Sequence, residues 1–471
     1  MDATDLAFAG ISEQARLIAD GTISSRELTT LYLDRIERHN TTLNAFRVVF
    51  TQEALAEADA ADQRRASGES APLLGVPIAV KDDQDVAGVV TAYGSNAQEA
   101  PAAEDSEIVR RLRLAGAVII GKTNVPELTQ WPFTETATFG VTRNPWDLQR
   151  TPGGSSGGSG AAVAAGLVGA ATASDGAGSI RIPAAWCGLF GMKPQRGRVS
   201  LYPRRRPWFG MAGYGCLTRG VRDSALFLDV VAGARAGDVD AAPDPVRPFL
   251  ASAEGEPGTL RIAYSEKLPP GVLASVDPSA SFALADTVQI LRELGHEVTE
   301  REVDYGAQGI PNVVARYLRG VHEEAAGVAH PERLERRTRA MARLGGLVPR
   351  SQIEKGEAAE AEYAARVGAL FGEFDVLLTP GPTLPAPPIG KLQGRGALYT
   401  LNAVAGWVPF YGIWNYTGHP AAAVPAGLSG QGLPRSVQLV GRPADEATLY
   451  ALAAQLERAR PWVDERPPDF S

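Results

Sequence analysis

Cysteine is nearly absent: Cys187 and Cys216 are the two in 471 residues, too few for a disulfide framework, and neither has companions at metal-ligand spacing. Both read as buried small apolar side chains in a reducing compartment. Histidine is scarce as well. Of His39, His296, His322, His330 and His419, four fall in stretches that read as helix, polar surface or the loop between them. His419, in a Thr-Gly-His-Pro turn, is the one that stays a candidate base. No apolar run approaches the length of about eighteen residues that a membrane span needs, and with 44% hydrophobic residues the expectation is a soluble globular chain without a membrane partner. Basic residues are in deficit, 46 against 54 acidic with a net charge of −8, which argues against a nucleic-acid surface. Met1 to Gly10 carry two Asp and no basic residue, so no secretory signal is expected and a cytoplasmic location is. The length suffices for one large or two to three ordinary domains.

Glycine and serine, by contrast, concentrate in residues 151–188, TPGGSSGGSGAAVAAGLVGAATASDGAGSIRIPAAWCG. On composition alone Gly153 to Gly160 suits a flexible linker. The run is locked between core elements, however: Ala161 to Gly166 favours helix, Leu167 to Ala173 reads as a buried strand, and a second Gly-dense turn follows. Glycine lets backbone N–H groups approach a ligand with no side chain in the way. The turn Gly176-Ala177-Gly178-Ser179 can therefore aim several N–H groups at one oxygen, with Ser179 as the attacking hydroxyl. A phosphate cradle is the competing use, but neither run ends in the G-K-[ST] of a Walker loop, and the flanks of Ser179 do not form a G-x-S-x-G elbow.

A serine nucleophile needs a base, and a desolvated lysine is the main alternative to histidine. In LLGVPIAVKDD, Lys81 ends an apolar run from Leu73 to Val80 that reads as a strand. Most lysines at strand ends are solvated surface charges, so this position alone decides nothing. Lys122 also ends an apolar strand; its expected role is a structural ion pair, with Glu127 as the partner.

Taken together, GVPIAVKD around Lys81, GKTNVPEL at 121–128, TRNPWD at 142–147, PGGSSGGSGAAVAAG at 152–166 and SDGAGSIRIPAAWCGLFGMKP at 174–194 resemble the amidase signature family. WNYTGHPAAAVPAG at 414–427 resembles its C-terminal portion. The resemblance implies a Ser, cis-Ser, Lys triad, with Lys81 as the lysine, Ser155 as the serine that follows a cis peptide bond, and Ser179 as the nucleophile. It implies oxyanion N–H groups from Gly176, Ala177, Gly178 and Ser179, with Asp175, Arg181 and Ser156 in support. Ala177 departs from the Gly found in many members, which is compatible with N–H donation unless the turn needs a positive φ there. Neutral Lys81 would accept the proton of Ser155, which takes one from Ser179 and later gives one to the leaving amine; water then cleaves the acyl-enzyme. No metal or cofactor is implied, and the substrates are small-molecule amides, esters or carbamates.

Strand and helix alternation predicts an α/β fold, a central twisted mixed sheet covered by helices on both faces with a helical insertion. A capping-box pattern at Ser24 to Glu27 opens a helix over 24–39, and a second helix spans 54–66. We read 1–471 as one domain: N-terminal helices to 64, a core at 65–235 and 372–471, and a helical cap over 275–371. Aromatic residues in loops, Trp131 and Phe133, then Trp208 and Phe209, are candidates for the substrate pocket and suit an aryl or long acyl group. Arg204 to Arg206 read as a solvated turn, and 381–416 as loop. The leading function is a linear amidase with ester and carbamate hydrolysis as relatives, as monomer or homodimer. The amidase subunit of a tRNA-dependent amidotransferase and an inert binding protein on the same scaffold are the alternatives.

Overall fold

In the computed structural model, which describes residues 2–470, the run Pro77–Lys81 is buried at every position, as a strand must be when helices cover both faces of its sheet. Val118–Thr123 and Ala170–Asp175 are buried in the same way. They belong to a mixed sheet of eleven strands: β1 Phe46–Val49, β2 Pro77–Lys81, β3 Val118–Thr123, β4 Ala170–Asp175, β5 Phe190–Lys193, β6 Gly213–Thr218, β7 Arg261–Tyr264, β8 Glu297–Glu300, β9 Val376–Pro380, β10 Ala421–Leu428 and β11 Pro434–Gly441. The spatial order is β1-β3-β2-β4-β6-β5-β10-β11-β9-β7-β8. β2 runs parallel to β3 and β4, the strands from β4 across to β9 alternate in direction, and β7 and β8 continue parallel to β9 at the far edge. The fold class is α/β with a mixed sheet, as the sequence predicts.

The capping box forms as read: Ser24 and Glu27 bond each other's backbone and open the helix Ser25–Leu43, whose Leu28, Tyr32 and Ile36 are buried. The Gly/Ser run becomes the helix Gly157–Ala164, buried along its whole length. Packing accounts for its glycines, since a Cβ on Gly158 would meet Asn124 N at 2.4 Å and the Ala45 carbonyl at 2.5 Å.

Two placements differ from the sequence reading. Pro278–Glu293, expected in the cap, packs against β9, β10 and β11 and so covers the sheet, and β8, also inside the range expected for the cap, is a strand of that sheet. Conversely, the loop expected over 381–416 contains the helix Ala397–Trp407. Its sequence ALYTLNAVAGW is apolar nearly all round, so it lacks the polar face that makes helical periodicity visible. This helix, with Gly309–Gly327 and Arg336–Gly346, lies over one end of the sheet, and a second apolar cluster that includes Trp131, Val313, Val404 and Tyr411 fills the space beneath. No helix among the described residues is long and apolar enough to cross a membrane.

Candidate active site

Lys81 is placed by the C-terminal end of β2, where its backbone N–H donates to Thr172 Oγ1 on β4 at 2.8 Å. Its side chain is fully buried. Nζ donates to Ser155 Oγ at 2.8 Å and to Ser174 Oγ at 2.6 Å, and stands 3.2 Å from Asp83 Oδ2. Ser155 lies just before the helix Gly157–Ala164, after a cis Gly154–Ser155 peptide bond. Burial lowers the proton affinity of the Lys81 amine, the Asp83 and Asp175 carboxylates oppose that, and Arg204 reinforces it.

The turn carrying Ser179 joins β4 to the helix Arg181–Cys187, and its shape is set by one buried carboxylate. Asp175 accepts the N–H of Gly178 at 2.6 Å and of Ile180 at 3.2 Å, a fork from Arg181 Nε and Nη2, both at 2.9 Å, and the Asn415 amide at 2.9 Å. Burial alone would raise this carboxyl; Arg181, Asn415 and Lys193 hold it well below the usual carboxylate range. Arg181 in turn reaches Gln438 Oε1 at 2.7 Å and Asn415 Oδ1 at 2.5 Å. Ser156 joins the strand end to the turn, donating its N–H to the Ser179 carbonyl at 3.3 Å and its hydroxyl to the Ser174 carbonyl at 3.3 Å.

The expected set of oxyanion donors loses one member. The Gly178 N–H is committed to Asp175, whereas those of Gly176, Ala177 and Ser179 have no acceptor among the described residues. Gly178 is also where the turn needs glycine: its φ is +119°, and a Cβ would meet Ile182 at 2.9 Å and Tyr411 at 3.0 Å. Ala177 has no positive φ, which removes the objection to alanine there.

Ser155, Ser174, Gly176, Ala177 and Ser179 share the wall of one cavity. Trp131, Ile182, Trp208, Val313, Tyr317, Leu401 and Val404 make most of the rest of the wall apolar. Of the four aromatic residues proposed for the pocket, Trp131 and Trp208 line it. Phe133 and Phe209 do not: Phe133 is stacked behind Trp131 with ring centres 5.8 Å apart, and Phe209 contributes its carbonyl to Arg316 at 2.9 Å.

Three further expectations are corrected. Lys122 pairs with Asp82 Oδ1 at 2.9 Å and with Thr91, while Glu127 accepts the Glu335 N–H at 2.9 Å and is pushed by burial to about 7. Arg204 is no solvated residue, since it lines the cavity and pairs with Glu324; Arg205 is exposed and Arg206 pairs with Glu357 at 2.5 Å. His419 is buried away from the cavity with Nδ1 on Thr417 at 2.8 Å, and burial lowers it to about 4. The sequence reading passed over Asp83, Ser174, Asn415 and Gln438. Asp83 showed only as the second of a doubled Asp, Ser174 and Asn415 lie inside the family-like blocks 174–194 and 414–427, and Gln438 had no signal.

Comparison with known proteins places this geometry in context. The amidase family model matches residues 27–450. A Mycobacterium tuberculosis protein named "Putative amidase AmiB2" is 52% identical over 467 residues, 99% of each chain. A solved structure of 6-aminohexanoate cyclic dimer hydrolase with its substrate superposes with a TM-score of 0.90 at 32% identity, covering 99% of this chain and 100% of that one. A bacterial aryl acylamidase of the amidase signature enzymes superposes at 0.84 with 26% identity over 95% of each chain. The match of family model, sequence and fold over nearly the whole length means that this chain belongs to the amidase signature family.

Proposed function

We propose that the chain hydrolyses linear carboxamides that carry an aryl or other apolar group, through an acyl-enzyme on Ser179, with esters and carbamates as further substrates. The observation that carries this reading is the 2.8 Å contact between buried Lys81 Nζ and Ser155 Oγ at the wall that also bears Ser179. Lys81, as the neutral amine, takes the Ser155 proton while Ser155 takes that of Ser179 as its Oγ attacks the carbonyl. The N–H groups of Gly176, Ala177 and Ser179 receive the negative charge that develops on the carbonyl oxygen. Ser155 then protonates the leaving amine, and water cleaves the ester. Esters and carbamates present the same carbonyl with a leaving group that Ser155 can serve.

The apolar wall formed by Trp131, Trp208, Val313 and Val404 supports the aryl preference, and the superposed aryl acylamidase agrees with it. The two buried free thiols support a cytoplasmic enzyme, and the acidic charge supports small molecules over nucleic acid as its substrates; we read it as a monomer or homodimer. The test is turnover of matched aryl amides, aryl esters, aryl carbamates, simple primary amides and glutamine by the wild type, Ser179→Ala and Lys81→Met. Aryl members are expected to be hydrolysed, with losses of about 10⁴-fold or more in both variants. Turnover of glutamine alone would overturn the substrate assignment, and an active Ser179→Ala protein would overturn the nucleophile.

A further inference from the structure

We infer that Asp83, acting through Lys81 and Ser174, is a positioning residue that controls the protonation of Lys81 when the reaction begins. The inference rests on the reading of Lys81 as the base.

A charged lysine has three N–H donors and a serine hydroxyl has one. Lys81 Nζ has three acceptors within reach, Ser155 Oγ at 2.8 Å, Ser174 Oγ at 2.6 Å and Asp83 Oδ2 at 3.2 Å. Because Ser174 Oγ accepts from Lys81, its own proton goes to Asp83 Oδ2, 2.5 Å away. Every proton of the cluster is thereby assigned with Lys81 as ammonium and Asp83 as carboxylate. For Lys81 to act as a base one of those protons must leave, and the contact to Ser155 must reverse, with Ser155 donating. The carboxylate opposes that change directly.

Beyond Lys81 and Ser174, no ion pair or hydrogen bond among the described residues takes up the charge of Asp83. The adjacent acid, Asp82, is committed to Lys122 and to Arg47, whereas Asp83 Oδ1 is buried on the cavity side of the sheet with no partner among the described residues. Arg204, the cation on the same wall, is paired with Glu324. The other carboxylate acting on Lys81 is Asp175, which is taken up by Arg181, and the hydroxyls of Tyr214 and Tyr93, which lie near Asp83 and Arg204, are kept neutral by burial. Burial and Arg204 push the lysine proton off, and Asp83 is the first group holding it on. An enzyme with this arrangement gains rate as the pH rises until Lys81 is discharged, and Asp83 sets where that happens.

The experiment is the pH dependence of kcat/KM for 4-nitroacetanilide, whose leaving group does not titrate in the range from about pH 5 to about pH 10. It compares the wild type with Asp83→Asn, Asp83→Glu, Ser174→Ala and Lys81→Met. Asp83→Asn is expected to move the acid limb to lower pH by about one to three units, the scale of a close opposite charge. Asp83→Glu is expected to restore most of the wild-type limb, and Ser174→Ala to move it in the same direction as Asp83→Asn by less. A purely structural role would lower the rate by one factor at every pH, so an unmoved limb in Asp83→Asn overturns the inference. Should Asp83→Asn fail to fold, the limb of Ser174→Ala decides in the same way. Turnover retained in Lys81→Met would instead remove the reading of Lys81 as base, while an inactive Lys81→Met beside an unmoved Asp83→Asn limb removes the role of Asp83 alone.

Discussion

Asp175 has no direct part in the proposed bond-breaking, yet it holds the turn that does. Its carboxylate and Arg181 are both fully buried and satisfy one another with help from Asn415 and the turn's own N–H groups. Asp175→Asn removes the negative charge and leaves the arginine buried and uncompensated, which costs about 3–5 kcal/mol. Urea unfolding measures that loss at neutral pH. The sign with pH follows from the carboxyl being held below its ordinary range: its contribution is complete above the unfolded value, 3.8, and disappears only as the pH falls through the lower folded value. The meeting of Lys81, Ser155 and Ser179 at one site could be expected from the family resemblance of the blocks that carry them, and the pairing of Asp175 with Arg181 from their places on either side of the Gly-dense turn. Ser174 and Asp83 could not. A serine inside a buried strand and a second aspartate after the first look like any others until β2 and β4 are laid side by side. Asn415 and Gln438 sit far along the chain, and nothing local ties them to residue 181.

At the scale of elements, the cap is joined to the sheet by specific contacts as well as by apolar packing. Glu127, in the short helical turn Glu127–Thr129 after β3, accepts the N–H of Glu335 at the start of the helix Arg336–Gly346. Burial raises this carboxyl from 4.5 to about 7, so the folded protein takes up a proton that the unfolded chain would release. The stabilisation is fully present below 4.5 and is lost as the pH climbs through about 7. Thermal melts between those values should show a falling Tm in the wild type and a flatter one in Glu127→Gln, which keeps an acceptor for the Glu335 N–H. The helices of the cap differ in how well the sequence revealed them. Gly309–Gly327 and Arg336–Gly346 have polar outer faces and were readable, whereas Ala397–Trp407 turns Leu401 and Val404 to the cavity and leaves Leu398 and Tyr399 exposed, so no face is polar enough to mark it.

Across the whole molecule, the alternation of strands and helices was enough to predict an α/β fold, but the strand order was not legible, because neighbours such as β5 and β10 are joined by hydrogen bonds between segments hundreds of residues apart. The helix Ser25–Leu43 is likewise tied to residues far along the chain. Arg35, buried in the helix Ser25–Leu43, donates to the carbonyls of Ala165 at 3.0 Å, Gly166 at 2.8 Å and Phe470 at 2.6 Å. Arg35→Met leaves buried carbonyls unpaired at about 1–3 kcal/mol each, and a denaturant midpoint lowered accordingly is the expected measurement. The brace of the Ser179 turn has the same long reach, for Arg181 finds Asn415 and Gln438 only after β10 and β11 are in place. During synthesis on the ribosome, Lys81, Ser155 and Ser179 all emerge well before those partners. A nascent chain that stops short of Gln438 therefore carries every proposed catalytic side chain and still lacks part of the clamp on the Ser179 turn.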